Sequence, residues 1–168
     1  MTQEKVIPVS DELKTFIGKE INRRTSLPVS LSDIRKWAIA IYWPEMPPRL
    51  FWDEEFAKKT RYGGIVAPED FNPFAWPVDR TTYNMGDEPT HAPTKRMGIG
   101  LSMLNGGGGN EFVSAIHPGD IITSVTKFDD IYCRQGSKWP MLFFVRKTTW
   151  TNQRGEVIKY NTHVAIKH

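Results

Sequence analysis

Asp120–Tyr132 (DIITSVTKFDDIY), Met141–Thr151 (MLFFVRKTTWT) and Glu156–Ile166 (EVIKYNTHVAI) are the stretches that decide the fold. Each is rich in β-branched and aromatic residues, and each is bounded by turn signals: His117-Pro118-Gly119-Asp120, Gln135-Gly136-Ser137 and Asn152-Gln153-Arg154-Gly155. A fourth run, residues 110–116 (NEFVSAI), precedes them. Short connections in a row predict an antiparallel meander. A strand of about 13 residues spans roughly 40 Å and must curve, and a curved sheet needs something to wrap.

The helix for that role begins after Ser30. Ser30-Leu31-Ser32-Asp33 reads as a variant capping box, and Ile34, Trp37, Ala38, Ile41 and Tyr42 follow as one apolar stripe until Pro44 ends it. A short helical turn is expected over residues 11–17. A second short helix is expected over residues 53–62, capped by Asp53 and closed by Gly63-Gly64. Residues 44–52 hold three prolines and read as an ordered loop. Residues 77–97 read as a long, mostly irregular loop of the kind that is usually functional, and Gly106 to Gly109 as a flexible turn into a strand. The fold class is therefore α+β, with helices first and a long curved antiparallel sheet after them. It forms one domain over 1–168, with residues 1–16 as an N-terminal extension.

Composition narrows the function classes. The net charge of +3 comes from scattered Lys and Arg, which argues against nucleic acid and fits a phosphate-bearing ligand. The lone Cys133 makes neither an intramolecular disulfide nor a zinc site by itself. No secretory leader and no apolar stretch long enough to span a membrane is seen, so the expected place is the cytoplasm.

Asp53-Glu54-Glu55-Phe56-Ala57 with Thr60-Arg61-Tyr62-Gly63-Gly64-Ile65-Val66-Ala67-Pro68 resembles the start of MaoC-like dehydratases and R-specific enoyl-CoA hydratases. Leu104-Asn105-Gly106-Gly107, Pro118-Gly119-Asp120 and Thr151-Asn152-Gln153-Arg154-Gly155-Glu156 resemble the N-terminal, fatty-acid-synthase-type half of that family. The resemblance runs from about Ile17 to Lys167. It implies a hot-dog fold paired as a double hot dog, no cofactor, and a substrate carried as a thioester on coenzyme A or acyl carrier protein. The implied reaction is reversible addition of water to a 2-enoyl double bond.

Active members carry Gly-Asp-x-Asn-Pro-x-His-x-Asp ahead of the second helix. Aligned on Asp53, the His position is Phe51 and the Asp position is Met46, with Pro48 and Arg49 at the Asn and Pro positions. Neither phenylalanine nor methionine moves a proton. The resemblance thus implies a dyad-lacking half of a heteromeric enoyl-thioester hydratase, whose partner chain supplies the Asp and His.

Phe51, Trp52, Phe71, Phe74 and Trp76 read as walls of an acyl pocket beneath the 77–97 loop. Phe51 and Met46 read equally well as core. Gly64, Ile65, Val66, Ala67 and Pro68 are implied to lie where the family holds the thioester oxygen with backbone amides. Asn105 and Gly106 are read either as a plain turn or as a close approach to ligand. Asp70 and Glu45 are candidates for a displaced base, against a default of solvated carboxylates. Two other functions stay open: a homo-oligomeric hot-dog thioesterase or hydratase using such a carboxylate, and a non-enzymatic module binding acyl thioesters.

Overall fold

Six strands form one antiparallel sheet in the computed structural model, which describes residues 6–74 and 89–168. In chain order the elements are β1 (Val6–Ile7), α1 (Asp11–Lys14), β2 (Glu20–Thr25), α2 (Leu31–Tyr42), a 3-10 turn (Arg49–Phe51), α3 (Glu54–Ala57), α4 (His91–Arg96), β3 (Met103–Phe112), β4 (Thr123–Gln135), β5 (Pro140–Thr151) and β6 (Val157–Lys167). The three longest runs of the sequence are β4, β5 and β6, shifted by a few residues at their ends. A register shift in β4 between Phe128 and Asp130 bends the sheet as a bulge does.

The meander is only partly as expected. β4, β5 and β6 follow one another, but β3 pairs with β6 and lies at the far edge, giving the order β1-β4-β5-β6-β3 with β2 also on β4. The connector between β3 and β4 therefore crosses one end of the sheet. It is held there by backbone bonds from Ala67 N to Ile116 O and from Val29 N to Asp120 O.

β3 also starts earlier and ends earlier than the 110–116 run, and it passes through the glycine tract. That tract is a strand carrying a bulge between Asn105 and Gly108, not a flexible turn. Gly107 sits at φ +92° within it, and the Asn105 side chain accepts from the Gly107 amide at 2.9 Å. Residues 20–25, which alternate no apolar face of their own, are a strand because their backbone completes the β4 edge. The N-terminal extension contributes β1 and α1, whose Leu13 is fully buried. Of the long loop, residues 91–96 are helical, and Trp76 and the rest of that segment to residue 88 lie outside the described residues.

Ser30 caps α2 by accepting the Asp33 amide at 3.0 Å. Asp53 caps α3 by accepting the Phe56 amide, also at 3.0 Å, and α3 is shorter than the 53–62 expected. α2 buries only Ile34 and Ala38, and Trp37 and Tyr42 are half-buried. The sheet does not wrap it fully. Instead the concave face carries two separate apolar clusters. In one, Ile34 joins Phe71, Phe74, Ile122 and Ile158. In the other, Leu13 from α1 and Ile99 after α4 join Phe128, Ile131, Leu142 and Phe144.

Two of the quoted motifs turn out to brace the sheet. Asp120 is buried and accepts from the His117 amide at 2.8 Å and from Arg154 at 3.3 Å. Asn152, also buried, accepts from the Arg154 and Glu156 amides. The two turns lock together at one end of the strands, and Gly155 at φ +80° allows the second to close.

Candidate active site

A cleft of about 650 Å³ opens beside the C-terminal half of α2, within the range of ordinary small-molecule sites. Ile41, Tyr42, Leu50 and Phe51 form one wall, and the strap Val66–Asp70 forms a second. The third runs from Phe112, at the end of β3, to Ile116, with Ile158 and Lys159 of β6 at the base. Three rim residues are exposed apolar ones: Ile41 at 45%, Phe112 at 39% and Val113 at 53%. The mouth thus adjoins β3, every residue of which is exposed and whose outer edge has no strand beside it among the described residues.

The expected site residues divide. Phe51 lines the cleft, its ring 5.9 Å from that of Tyr42. Val66, Ala67, Pro68 and Asp70 line it too. Met46 does not: it is 73% exposed, on the loop that follows α2. Glu45 is also exposed and away from the cleft. Trp52 turns aside and braces the proline loop by donating its indole N–H to Pro47 O at 2.9 Å. Ile65, Phe71 and Phe74 are core, with Phe71 edge-on to Trp37 and Phe74 edge-on to Trp150. Gly64 is half-buried outside the cleft lining. Asn105 and Gly106 lie in β3, six residues before Phe112 in the case of Gly106, or roughly 20 Å along the strand. Residues 89–97 contribute nothing to the lining either.

The oxygen-holding reading of the strap meets a physical constraint. The Ala67 amide already donates to Ile116 O at 2.8 Å, so that amide is not available to a ligand. Cys133 is buried, and burial pushes its thiol pKa up, which suppresses the reactive thiolate. Among the described residues no group of three His, Cys, Asp or Glu side chains has the arrangement to hold a metal.

Lys159 is the functional-looking residue that sequence reasoning passed over. It is 7% exposed. Its ammonium lies 3.9 Å from the Trp150 ring centroid and 5.5 Å from that of Phe112. Burial lowers its pKa from the ordinary lysine value, and the Asp70 carboxylate acts in the opposite sense. The signal was strand parity: Lys159, Asn161 and Ala165 fall on one face of β6. At the rim, Arg61 donates to the Tyr62 hydroxyl at 2.6 Å. The cleft therefore offers cations and aromatic rings, and a carboxylate only at Glu69 and Asp70, both exposed.

A family model described as FAS1-like, dehydratase domain region, matches residues 15–161. No curated protein matches by sequence. Among solved structures, the chain resembles the MaoC-like dehydratase from Rhodospirillum rubrum (20% identity, 87% of this chain and 90% of that one, TM-score 0.55). It also resembles the ChsH1-ChsH2 complex from Mycobacterium tuberculosis (18% identity, 88% and 83%, TM-score 0.67). A third is the C-terminally truncated HadBC (3R-hydroxyacyl-ACP dehydratase) complex from the same organism (14% identity, 89% and 99%, TM-score 0.52). At these identities the likeness is one of fold. Among the described residues no helix is long and apolar enough to cross a membrane.

Proposed function

Because the chain belongs to the FAS1-like dehydratase-domain family and has the hot-dog fold of MaoC-like dehydratases, we propose that it is the dyad-lacking half of a heteromeric enoyl-thioester hydratase. It supplies the acyl-binding cleft, and the catalytic Asp and His come from a partner hot-dog chain. The substrate is a 2-enoyl group on coenzyme A or acyl carrier protein. One observation carries the reading: at the two positions that the motif, aligned on Asp53, matches to the family's acid and base, a phenyl ring stands in the cleft and a thioether stands outside it. Neither of these two side chains takes or gives a proton, so the acid–base pair at the family's positions has to come from elsewhere.

The cleft mouth supports the partner. Its rim is apolar and exposed, and it adjoins a strand edge ten residues long that is unpaired among the described residues. Unpaired edges invite another strand. Two of the structural neighbours are complexes of two named chains, which fits a fold that works in pairs.

The test is hydration of a 2-enoyl-CoA by the purified chain, alone and mixed with a dyad-bearing hot-dog chain that co-purifies with it. The chain alone should bind the thioester without turning it over, and the mixture should hydrate it. Hydration by the lone chain at the rate of an ordinary hydratase would overturn the proposal. A second reading, a single-carboxylate thioesterase, is favoured only by Asp70 lining the cleft. It requires acyl-CoA cleavage by the lone chain that is lost in Asp70→Asn.

A further inference from the structure

The concave face of the sheet should be apolar where it meets the rest of the molecule, and across its middle it is not. Asn22 of β2 faces Thr126 of β4, which faces Thr148 of β5, which faces Asn161 of β6, which faces Asn110 of β3. Residues directly opposite one another in register share a face, so these five polar side chains form one transverse row. The next row contains Ser124, Trp150, Lys159 and Phe112. The two apolar clusters lie on either side, which is why the core is divided.

A groove of about 420 Å³ lies over this row and is lined by all five of its residues. It shares Asp70 and Lys159 with the cleft. A chain entering the cleft and running past Lys159 therefore meets the polar row next.

The row is not closed on itself. Asn161 donates its amide N–H groups to Asn110 Oδ1 at 2.9 Å and to Gly109 O at 3.4 Å, leaving its own Oδ1 without a donor among the described residues. The Thr126 and Thr148 hydroxyls are 2.8 Å apart. One donates to the other, so one hydroxyl proton remains to be given. The groove thus holds an open acceptor on β6 and an open donor on the threonine pair of β4 and β5. Laying an alkyl chain over them would bury both unpaired. A hydroxyl both donates and accepts, so it satisfies both.

We propose that this groove is a subsite for an acyl chain that carries a hydroxyl beyond its third carbon, with Thr148 and Asn161 as its reading residues. The inference rests on the acyl-binding function given above and adds the class of acyl chain.

The experiment is calorimetric binding of octanoyl-CoA against a set of its isomers mono-hydroxylated beyond carbon 3 to the full chain. The best hydroxylated isomer should bind about tenfold tighter than octanoyl-CoA, the scale of one or two net hydrogen bonds. An apolar tunnel gives the opposite order. In the Thr148→Val, Asn161→Leu double variant, octanoyl-CoA should bind tighter than the hydroxylated isomer. Octanoyl-CoA binding the parent chain at least as tightly as every isomer, or a preference unchanged by the double variant, overturns the subsite while leaving the acyl-binding function intact. Failure of every thioester to bind removes both. Thr→Val keeps shape, and the comparison in the parent chain needs no variant.

Discussion

Under the proposed pairing, a partner that also covers the exposed face of α2 makes Trp43→Ala weaken association while leaving this chain's own fold alone. At about 100° per residue, Ile39 and Trp43 sit roughly 140° and 180° around α2 from the buried Ile34. They form a second apolar stripe, four residues apart on one face. Ile39 is 54% exposed and Trp43 is 78% exposed. A Trp side chain buries up to about 250 Å², so a partner covering this one removes about 200 Å² from water. At about 25 cal/mol per Å² that is worth about 5 kcal/mol. Ordering the side chain and incomplete closure offset part of it, and Trp43→Ala should weaken association by about 2–4 kcal/mol. That corresponds to roughly 30- to 1,000-fold in Kd. Sedimentation equilibrium with the dyad-bearing chain reads it directly. Trp139→Ala is the control: it is 66% exposed but sits on the β4–β5 hairpin, at the opposite end of the sheet from Phe112. Association unchanged within twofold in Trp43→Ala, or an equal loss in Trp139→Ala, refutes an interface on this face of α2.

Phe51→Ala should weaken acyl-CoA binding about tenfold while melting changes little, since its ring is half-buried and faces the cleft; this reads as a calorimetric Kd beside a thermal scan. Lys159 has a folded pKa below 10.5 because of burial, so between the lowered value and 10.5 the unfolded chain binds more protons and stability rises with pH. Lys159→Met should therefore be at least as stable as the parent at pH 7, with the gap closing as pH climbs toward 10.5; urea midpoints that move the other way reject the burial argument. Gly108→Ala drives a Cβ into the Thr162 carbonyl across the β3–β6 ladder and should cost at least about 2 kcal/mol. Gly109→Ala meets nothing within 4 Å and should cost far less, so equal urea midpoints for the two variants would place the β3 register in error.

What the sequence revealed follows from which signals are local. β4, β5, β6 and α2 were legible because period and turn chemistry act over a few residues: Ser30 caps, and Gly155 turns. The pairing of β3 was not, because a short connection suggests a hairpin, and only the backbone bonds of residues 116 and 120 to the helix side carry the connector across the sheet end. Gly106 to Gly109 misled for a related reason. Glycine weakens a strand in isolation, yet here Gly108 must be small to pass the Thr162 carbonyl. At the site, Phe51 was found by motif spacing and Lys159 was missed. Its depth depends on the Trp150 ring from the neighbouring strand, which no single segment encodes.

Two substitutions should not restore catalysis to this chain. Reversing the motif would mean Met46→Asp with Phe51→His, which puts the family's residue types back at their spacing. The His would face the cleft, where Phe51 is now. The Asp would not, because position 46 is 73% exposed and does not line the cleft. Little slack is available to bring it in. Pro44, Pro47 and Pro48 each fix a backbone torsion around it. Pro47 is buried, and its carbonyl accepts the Trp52 indole N–H. Arg49 is tied to Asp53 at 2.6 Å. On the proposed reading, the missing acid at position 46 is thus a matter of where the loop runs as well as of its side chain. The double variant, alone and folded, should show no hydration of a 2-enoyl-CoA above the parent chain. Turnover at even a thousandth of an ordinary hydratase would mean that position 46 reaches the cleft, and the account of why this half is silent would fall with it.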